Sequence, residues 1–237
     1  MRYVITLMPS MLQGLFTTFN IFLITLLLSI PLGILAAHSR LSKIKPIAKF
    51  TEFYILIMRG TPLLLQIVFV FFGLPLIGIT FNRYSASIFA FVLNYGAYFG
   101  EIFRSGIESV DKGQYEAALV LSLKPYKTFI RIILPQTIKR VLPAAANEVI
   151  TLVKDTSLVY IVGLGELLRA GKIASNRDAS LIPLTLVALF YLILTGLLTK
   201  IFMNLEKDIH IIYRRKLVCL KLKIYIKALK KFQYLRA

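Results

Sequence analysis

The sequence predicts an all-α membrane protein with about five transmembrane helices, and three observations carry that prediction. The chain has 237 residues, 57% of them hydrophobic, and its mean hydropathy is +0.75. Soluble domains are about 45–50% apolar. Residues 3–37, 60–82, 84–100 and 179–199 carry no charged side chain. Each added residue raises a helix by about 1.5 Å, so roughly 20 apolar residues cross a bilayer. The basic residues gather between these runs. Arg40, Lys43, Lys45 and Lys49 fall in 38–49 with no acid among them, and Arg104, Lys112, Lys124, Lys127, Arg131, Lys139 and Arg140 fall in 104–140. By contrast, the 78–87 connection has only Arg83.

The first span covers about residues 11–37, with Pro31 and Gly33 near its end. It is too long, and too free of a small-residue cleavage pattern, for a removable signal peptide. "HSRLSKIKP" then leaves the membrane, and its charge puts it in the cytoplasm. A second span begins after Glu52 and passes through "MRGTPLLLQIVFVFFGLPLIG", where Gly60 and Pro62 loosen the helix. "ITFNRYS" is a short outer turn. The third span runs from about Ala86 to Gly100 and continues as a helix through Glu101 and Arg104 into the cytoplasm. A fourth apolar segment, 142–163, carries Glu148, Lys154 and Asp155, and a fifth covers about 181–203. Counting the turns gives an amino terminus outside and a carboxyl terminus inside. The chain thus divides into a transmembrane domain, 1–210, and a basic tail, 211–237, whose interleaved apolar residues suit an interfacial helix on anionic lipid.

Composition excludes several chemistries. Cys219 is the single cysteine, which rules out an internal disulfide, a multi-cysteine zinc site and an iron–sulfur cluster. His38 and His210 are the two histidines and argue against a histidine-based metal site. No metal site and no catalytic residue is expected: no Ser–His, paired-Asp or His-Glu-x-x-His arrangement occurs, and no Gly-x-x-x-x-Gly-Lys-Ser/Thr phosphate loop. The net charge of +18 reads as the positive-inside bias rather than as a nucleic-acid surface.

Between the third and fourth spans lies "GQYEAALVLSLKPYKTFIRIILPQ", residues 113–136. Residues 114–123 hold good helix formers and an early carboxylate, Glu116, which suits a helix start. Lys124-Pro125 ends that helix, because the residue before proline avoids the α region. A second helix can start at Pro125, where the missing N–H costs nothing. The expected unit is a helix–turn–helix on the cytoplasmic face.

This segment resembles the "EAA" loop of ABC-transporter permeases, in Glu116-Ala117-Ala118 and in Ile132-Ile133-Leu134-Pro135. The position usually occupied by glycine is Ser122. "RGTPLLLQIVFVFFGLP" (59–75), "NYGAYFGEIFRSGIESVDKGQYEAA" (94–118), "LPAAANEVITLVKDTSL" (142–158) and "GLGELL" (163–168) resemble the polar amino-acid branch, which handles histidine, glutamine, glutamate, arginine and similar solutes. The likeness covers about residues 10–210. It implies a type I ABC importer permease fold with a coupling loop at 112–135, in a bacterial cytoplasmic membrane. It also implies that Glu116, Ala117, Ala118, Ser122 and Pro135 meet a separate ATPase, which binds ATP and Mg, so that no cofactor sits in this chain. A second permease, identical or related, and an extracytoplasmic solute-binding protein complete the expected partners, with membrane lipid and no nucleic acid.

Glu148 and Asp155 are seven apart, nearly two helical turns, and so share a face with Thr151 and Leu152. Ionisable groups at membrane depth are costly and face a cavity or a partner. Two carboxylates suit a substrate's ammonium or guanidinium, whereas the structural alternative pairs Glu148 with an Arg or Lys and makes Lys154 and Asp155 the wet end of a span. By the resemblance, Glu148, Asp155, Thr156 and Ser157 line the substrate path. Thr61 and Gln66, beside Arg59, Gly60 and Pro62, form a second set, because Gly-Thr-Pro exposes backbone groups to a pore. Arg59 itself either joins them or snorkels to headgroups. Asn94 either lines a cavity or bonds a neighbouring helix. Glu101, Arg104 and Glu108 have the spacing of local ion pairs. The alternative function is an ion-gradient-driven secondary carrier with Glu148 and Asp155 as ion sites.

Overall fold

The computed structural model describes residues 2–234, with side chains for 3–208. Nine α-helices form it, with no strand among the described residues: α1 (Arg2–Arg40), α2 (Lys45–Gly60), α3 (Leu63–Val68), α4 (Arg83–Glu108), α5 (Lys112–Val120), α6 (Pro125–Thr128), α7 (Leu134–Asp155), α8 (Leu167–Asp178) and α9 (Ile182–Tyr234). Short π turns at Phe69–Gly73 and Phe129–Ile133 and 3₁₀ turns at Leu74–Ile77 and Thr156–Val162 join several of them.

Helices α1 and α4 make the central seam. Lipid tails are as apolar as leucine, so membrane helices associate where small residues let backbones approach. The seam follows that rule. A Cβ added at Gly33 would stand 2.6 Å from Phe99 Cβ, and one at Gly100 would stand 2.8 Å from Ala36 Cβ. Around the seam lies the main core: Ile21 and Phe22 of α1, Ile67 of α3, Phe91, Tyr95 and Phe99 of α4, Leu152 of α7, and Val159. A second, smaller core joins Leu7 and Met11 of α1 to Leu167 and Ala174 of α8 and Val187 of α9.

Among the described residues three helices are long and apolar enough to cross a membrane: Tyr3–Arg40, Arg83–Glu108 and Ile182–Asp208. The expected second span differs from a single loosened helix. Lys45–Gly60 and Leu63–Ile77 meet at 104°, broken at Gly60-Thr61-Pro62. Proline fixes its own φ and removes a donor, so Thr61 takes an extended conformation (φ −118°, ψ 146°) and the helix cannot continue. The expected fourth segment also differs. Its helix starts earlier, at Leu134, and stops at Asp155, where the chain tightens into the 3₁₀ turn. Though 22 residues long, α7 carries Lys139, Arg140, Glu148, Lys154 and Asp155, so composition alone does not mark it as a span.

Helix α9 runs unbroken to Tyr234. The basic tail at 211–237, expected to lie on lipid, has its side chains outside the described residues.

Candidate functional site: a polar cavity and an exposed loop

The break after α2 leaves carbonyls without helical partners, and buried carbonyls need donors. Asn94 of α4 supplies one: its Nδ2 donates to Met58 O at 2.8 Å and to Gln66 Oε1 at 3.1 Å. Gln66 Nε2 lies 3.0 Å from Met58 O and 2.8 Å from Thr61 Oγ1. The Thr61 hydroxyl donates to Ile57 O at 2.8 Å. Asn94 is 3% exposed, so this brace is sealed from solvent on its α4 side. The two readings of Asn94 therefore merge, because it bonds the neighbouring helix and lines the cavity beside the break.

That cavity has a volume of about 610 Å³. Arg59 to Leu64 of the break form one wall, Asn94, Tyr95 and Tyr98 of α4 a second, and Glu148, Thr151, Asp155 and Leu158 the third. Glu148 and Asp155 thus share the open face that their spacing implied. Tyr95 donates its hydroxyl to Asp155 Oδ2 at 2.7 Å. Among the described residues Glu148 has no hydrogen bond or ion pair within the chain, and the charges that act on it are Arg59 and Asp155. The Arg59 guanidinium stands 5.2 Å from the centre of the Tyr98 ring and lines the cavity. Such a site holds a cation-attracting floor and a guanidinium on the same wall system. It can take a zwitterion by both ends.

Not every expected residue opens on this cavity. Thr156 is fully buried, and its hydroxyl donates to Val153 O at 2.6 Å. Ser157 lies in the same 3₁₀ turn and is not among the lining residues, and Gln66 stands behind the wall as part of the brace. Tyr95 and Tyr98 are the residues that sequence reasoning left out, since aromatics in an apolar helix carry no signal of their own. The four-residue step from Asn94 to Tyr98 and the three-residue step from Tyr95 to Tyr98, which put them on one side of α4, are the trace they leave.

The loop at the other end of α4 has the opposite character. The Asp111 side chain caps α5 by accepting from Gly113 N at 2.6 Å. Ala118 is 2% exposed, while Glu116 and Ala117 face solvent. Leu119, Val120, Leu121 and Tyr126 are 71–84% exposed, a run of bare apolar surface on a short helix pair. Ser122 turns the chain with φ at +53°, the left-handed conformation that glycine adopts without steric cost. So the serine at the usual glycine position keeps glycine's backbone. The loop is fixed to the body by Arg140 of α7, whose Nη1 donates to the carbonyl of Ser109 and, at 3.0 Å, to its hydroxyl. Glu101 and Glu108 pair with Arg104 as their spacing implied, the former at 2.6 Å. Pro135 is exposed in the first turn of α7.

A helical membrane body with a polar cavity and a bare loop at one end suits a transport subunit. Residues 29–207 match the family of binding-protein-dependent transport system inner membrane components, and the chain belongs to that family. Its members are the membrane subunits of ABC systems, in which a separate subunit hydrolyses ATP.

Its relatives are amino-acid permeases. The chain is 36% identical over 203 residues to the arginine transport system permease protein ArtQ of Bacillus subtilis, covering 85% of this chain and 93% of that one. It is 34% identical over 193 residues to the L-cystine transport system permease protein TcyB of the same organism, covering 81% and 82%. Among solved structures, an amino acid ABC transporter crystallised with histidines superposes with a TM-score of 0.82 at 31% identity, over 87% of this chain and 97% of that one. The MetNI methionine ABC transporter shares the fold, with a TM-score of 0.71 at 18% identity over 86% and 98%. None of these similarities supports the secondary-carrier alternative.

Proposed function

We propose that this chain is the permease subunit of an ATP-driven importer of polar amino acids, and that the cavity between the α2–α3 break, α4 and α7 is its solute path. The observation that carries this reading is the pair Glu148 and Asp155 on one wall of a 610 Å³ cavity, in a chain of this family. An ammonium group meets the carboxylates, with Asp155 aimed by Tyr95. The solute carboxylate meets Arg59. A second cationic group on the solute finds the remaining carboxylate, which favours arginine-like solutes. Thr61 and Asn94 hold the broken helix that shapes the path.

The same reading makes α5 and the turn at Ser122 the point where an ATPase pushes. Exposed Leu119, Val120 and Leu121 offer an apolar knob, and Glu116 and Ala117 flank it. One copy supplies one wall system, so a second permease, identical or related, closes the pathway. A solute-binding protein delivers the amino acid from outside. The orientation follows the positive-inside bias: five spans, amino terminus outside, α5 and α6 in the cytoplasm, in a bacterial cytoplasmic membrane. The tail at 211–237 then lies against the inner leaflet.

Two experiments test this. The chain is reconstituted with its ATPase and binding protein, and ATP-driven uptake is measured across a panel of amino acids. Uptake that needs no nucleotide would sink the reading. In a Cys219→Ser background, single cysteines at Gln114→Cys and Asn176→Cys are labelled in intact cells with a membrane-impermeant maleimide. Asn176→Cys is expected to react and Gln114→Cys to stay protected.

A further inference from the structure

The sequence has one more basic group whose meaning only the fold reveals. Arg83 opens α4, and Arg169 sits in the first turn of α8. The two arginines lie 86 positions apart in sequence yet converge on Gly163. A Cβ placed there would stand 3.4 Å from Arg169 Nη1 and 3.6 Å from Arg83 Nε. Exposed Lys172 lies beside them, with Nζ 4.3 Å from the Tyr160 ring centre.

Three forces oppose this arrangement. A cation at a helix N-terminus faces the positive end of the macrodipole, as Arg83 does at the start of α4. The guanidinium groups repel each other. Under the orientation proposed above, all three basic residues also lie outside, against the bias that concentrates Lys and Arg in the cytoplasm. Glu166 acts on Arg169 from a distance, but neither neighbouring acid forms an ion pair with the arginines. Glu166 is fully buried, and its oxygens accept from Leu168 N and Arg169 N, each at 2.6 Å, and from the Tyr191 hydroxyl. Asp178 is held by Arg177 and by the Tyr3 hydroxyl at 2.7 Å. Among the described residues neither Arg83 nor Arg169 makes an ion pair with a carboxylate.

We propose that Arg83, Arg169 and Lys172 form a docking patch for an acidic face of the solute-binding protein. The inference rests on the importer reading given above. A carboxylate brought to Gly163 cancels the repulsion, the dipole penalty and the unpaired charge together. Position favours a protein over a lipid headgroup. Gly163 closes the 3₁₀ turn that begins directly after Asp155, and Leu158 of that turn lines the solute cavity. The patch therefore sits on the roof of the solute path, where a delivered amino acid must enter. Docking there presses on the turn that carries the cavity wall.

The test uses the complete importer in lipid nanodiscs, with ATP hydrolysis followed against binding-protein concentration. In the Arg83→Gln/Arg169→Gln variant the half-saturating concentration is expected to rise about tenfold, with the maximal rate at saturation retained and the salt dependence flattened. The Arg83→Lys/Arg169→Lys variant, which keeps the charge, is expected to fall between that and wild type. An unchanged half-saturating concentration in both variants would overturn the patch. So would a defect seen with anionic lipid and abolished in purely zwitterionic nanodiscs, which would assign the arginines to headgroups. If wild type itself is not stimulated by any binding protein, the importer reading fails instead, and that outcome is read from wild type alone.

Discussion

The cavity and the α5–α6 loop both interrupt the membrane helices, yet they are completed in opposite ways. At the cavity the chain satisfies itself: Asn94, Gln66 and Thr61 take up the carbonyls of the broken helix, and Tyr95 holds Asp155. At the loop it does not. Leu119, Val120, Leu121 and Tyr126 stand in solvent with no part of the described chain over them. A helix pair bearing contiguous bare apolar side chains is unfinished surface that a partner covers. The comparison teaches that the polar break beside the cavity is satisfied within this chain, whereas the loop leaves its apolar surface uncovered.

The largest expected effect breaks the loop side alone. Leu119→Asp with Leu121→Asp puts two charges into the interface to be covered. It is expected to cost 3 kcal/mol or more of association, on the order of a hundredfold. ATPase co-purification and ATP-driven uptake should both collapse while solute binding in the cavity persists. Loss of solute binding as well would erase the distinction between the two regions.

Next comes the cavity side. Glu148→Gln or Asp155→Asn removes one charged acceptor, worth about 1.5–3 kcal/mol, so uptake of an arginine-like solute should fall roughly 10- to 100-fold. Assembly with the ATPase should be untouched. Uptake at wild-type rates in the double variant would remove both residues from the path. Tyr95→Phe sharpens the point, because it frees Asp155 without altering its charge. Its effect should be smaller than that of Asp155→Asn when uptake is measured at limiting solute.

The brace is the third target. Asn94→Ala leaves the Met58 carbonyl and Gln66 short of a partner and should cost about 1–3 kcal/mol of stability. A thermal-unfolding scan in detergent reads it as a lowered Tm. Asn94→Asp, which cannot donate to Met58 when ionised, should be at least as damaging.

Ser122→Gly is expected to stabilise the turn, by up to about 1 kcal/mol, because a left-handed residue with a Cβ pays a steric cost that glycine avoids. A lower Tm in that variant would show that the serine is held there by something other than backbone geometry. The smallest effect is a titration. Arg177 and, after it, the Tyr3 hydroxyl hold the Asp178 carboxyl down at about 2. A depressed carboxyl stabilises the fold above its unfolded value near 4, and that contribution fades as pH falls through about 2. Carboxyl-specific NMR of Asp178 should place its midpoint well below the ordinary aspartate value near 4, and the Arg177→Gln variant should raise it.

The sequence by itself determined the membrane class, the loop and the shared face of Glu148 and Asp155, because each rests on a period or a local rule. Charge-free runs give spans, Lys-Pro stops a helix, and a spacing of seven returns to one side of it. Ser122 was legible only through the family resemblance, as the residue standing where glycine is usual. Tertiary structure decided what lies far apart in the chain. It set the 104° break between α2 and α3, whose residues form one wall of the cavity, and it brought Asn94 onto the Met58 carbonyl. It turned Thr156 into the body and Tyr95 onto Asp155, and it drew Arg83 and Arg169 together at Gly163. Those choices follow from which helix surfaces can approach, as at Gly33 and Gly100, and close approach between distant segments leaves no periodic mark in the sequence.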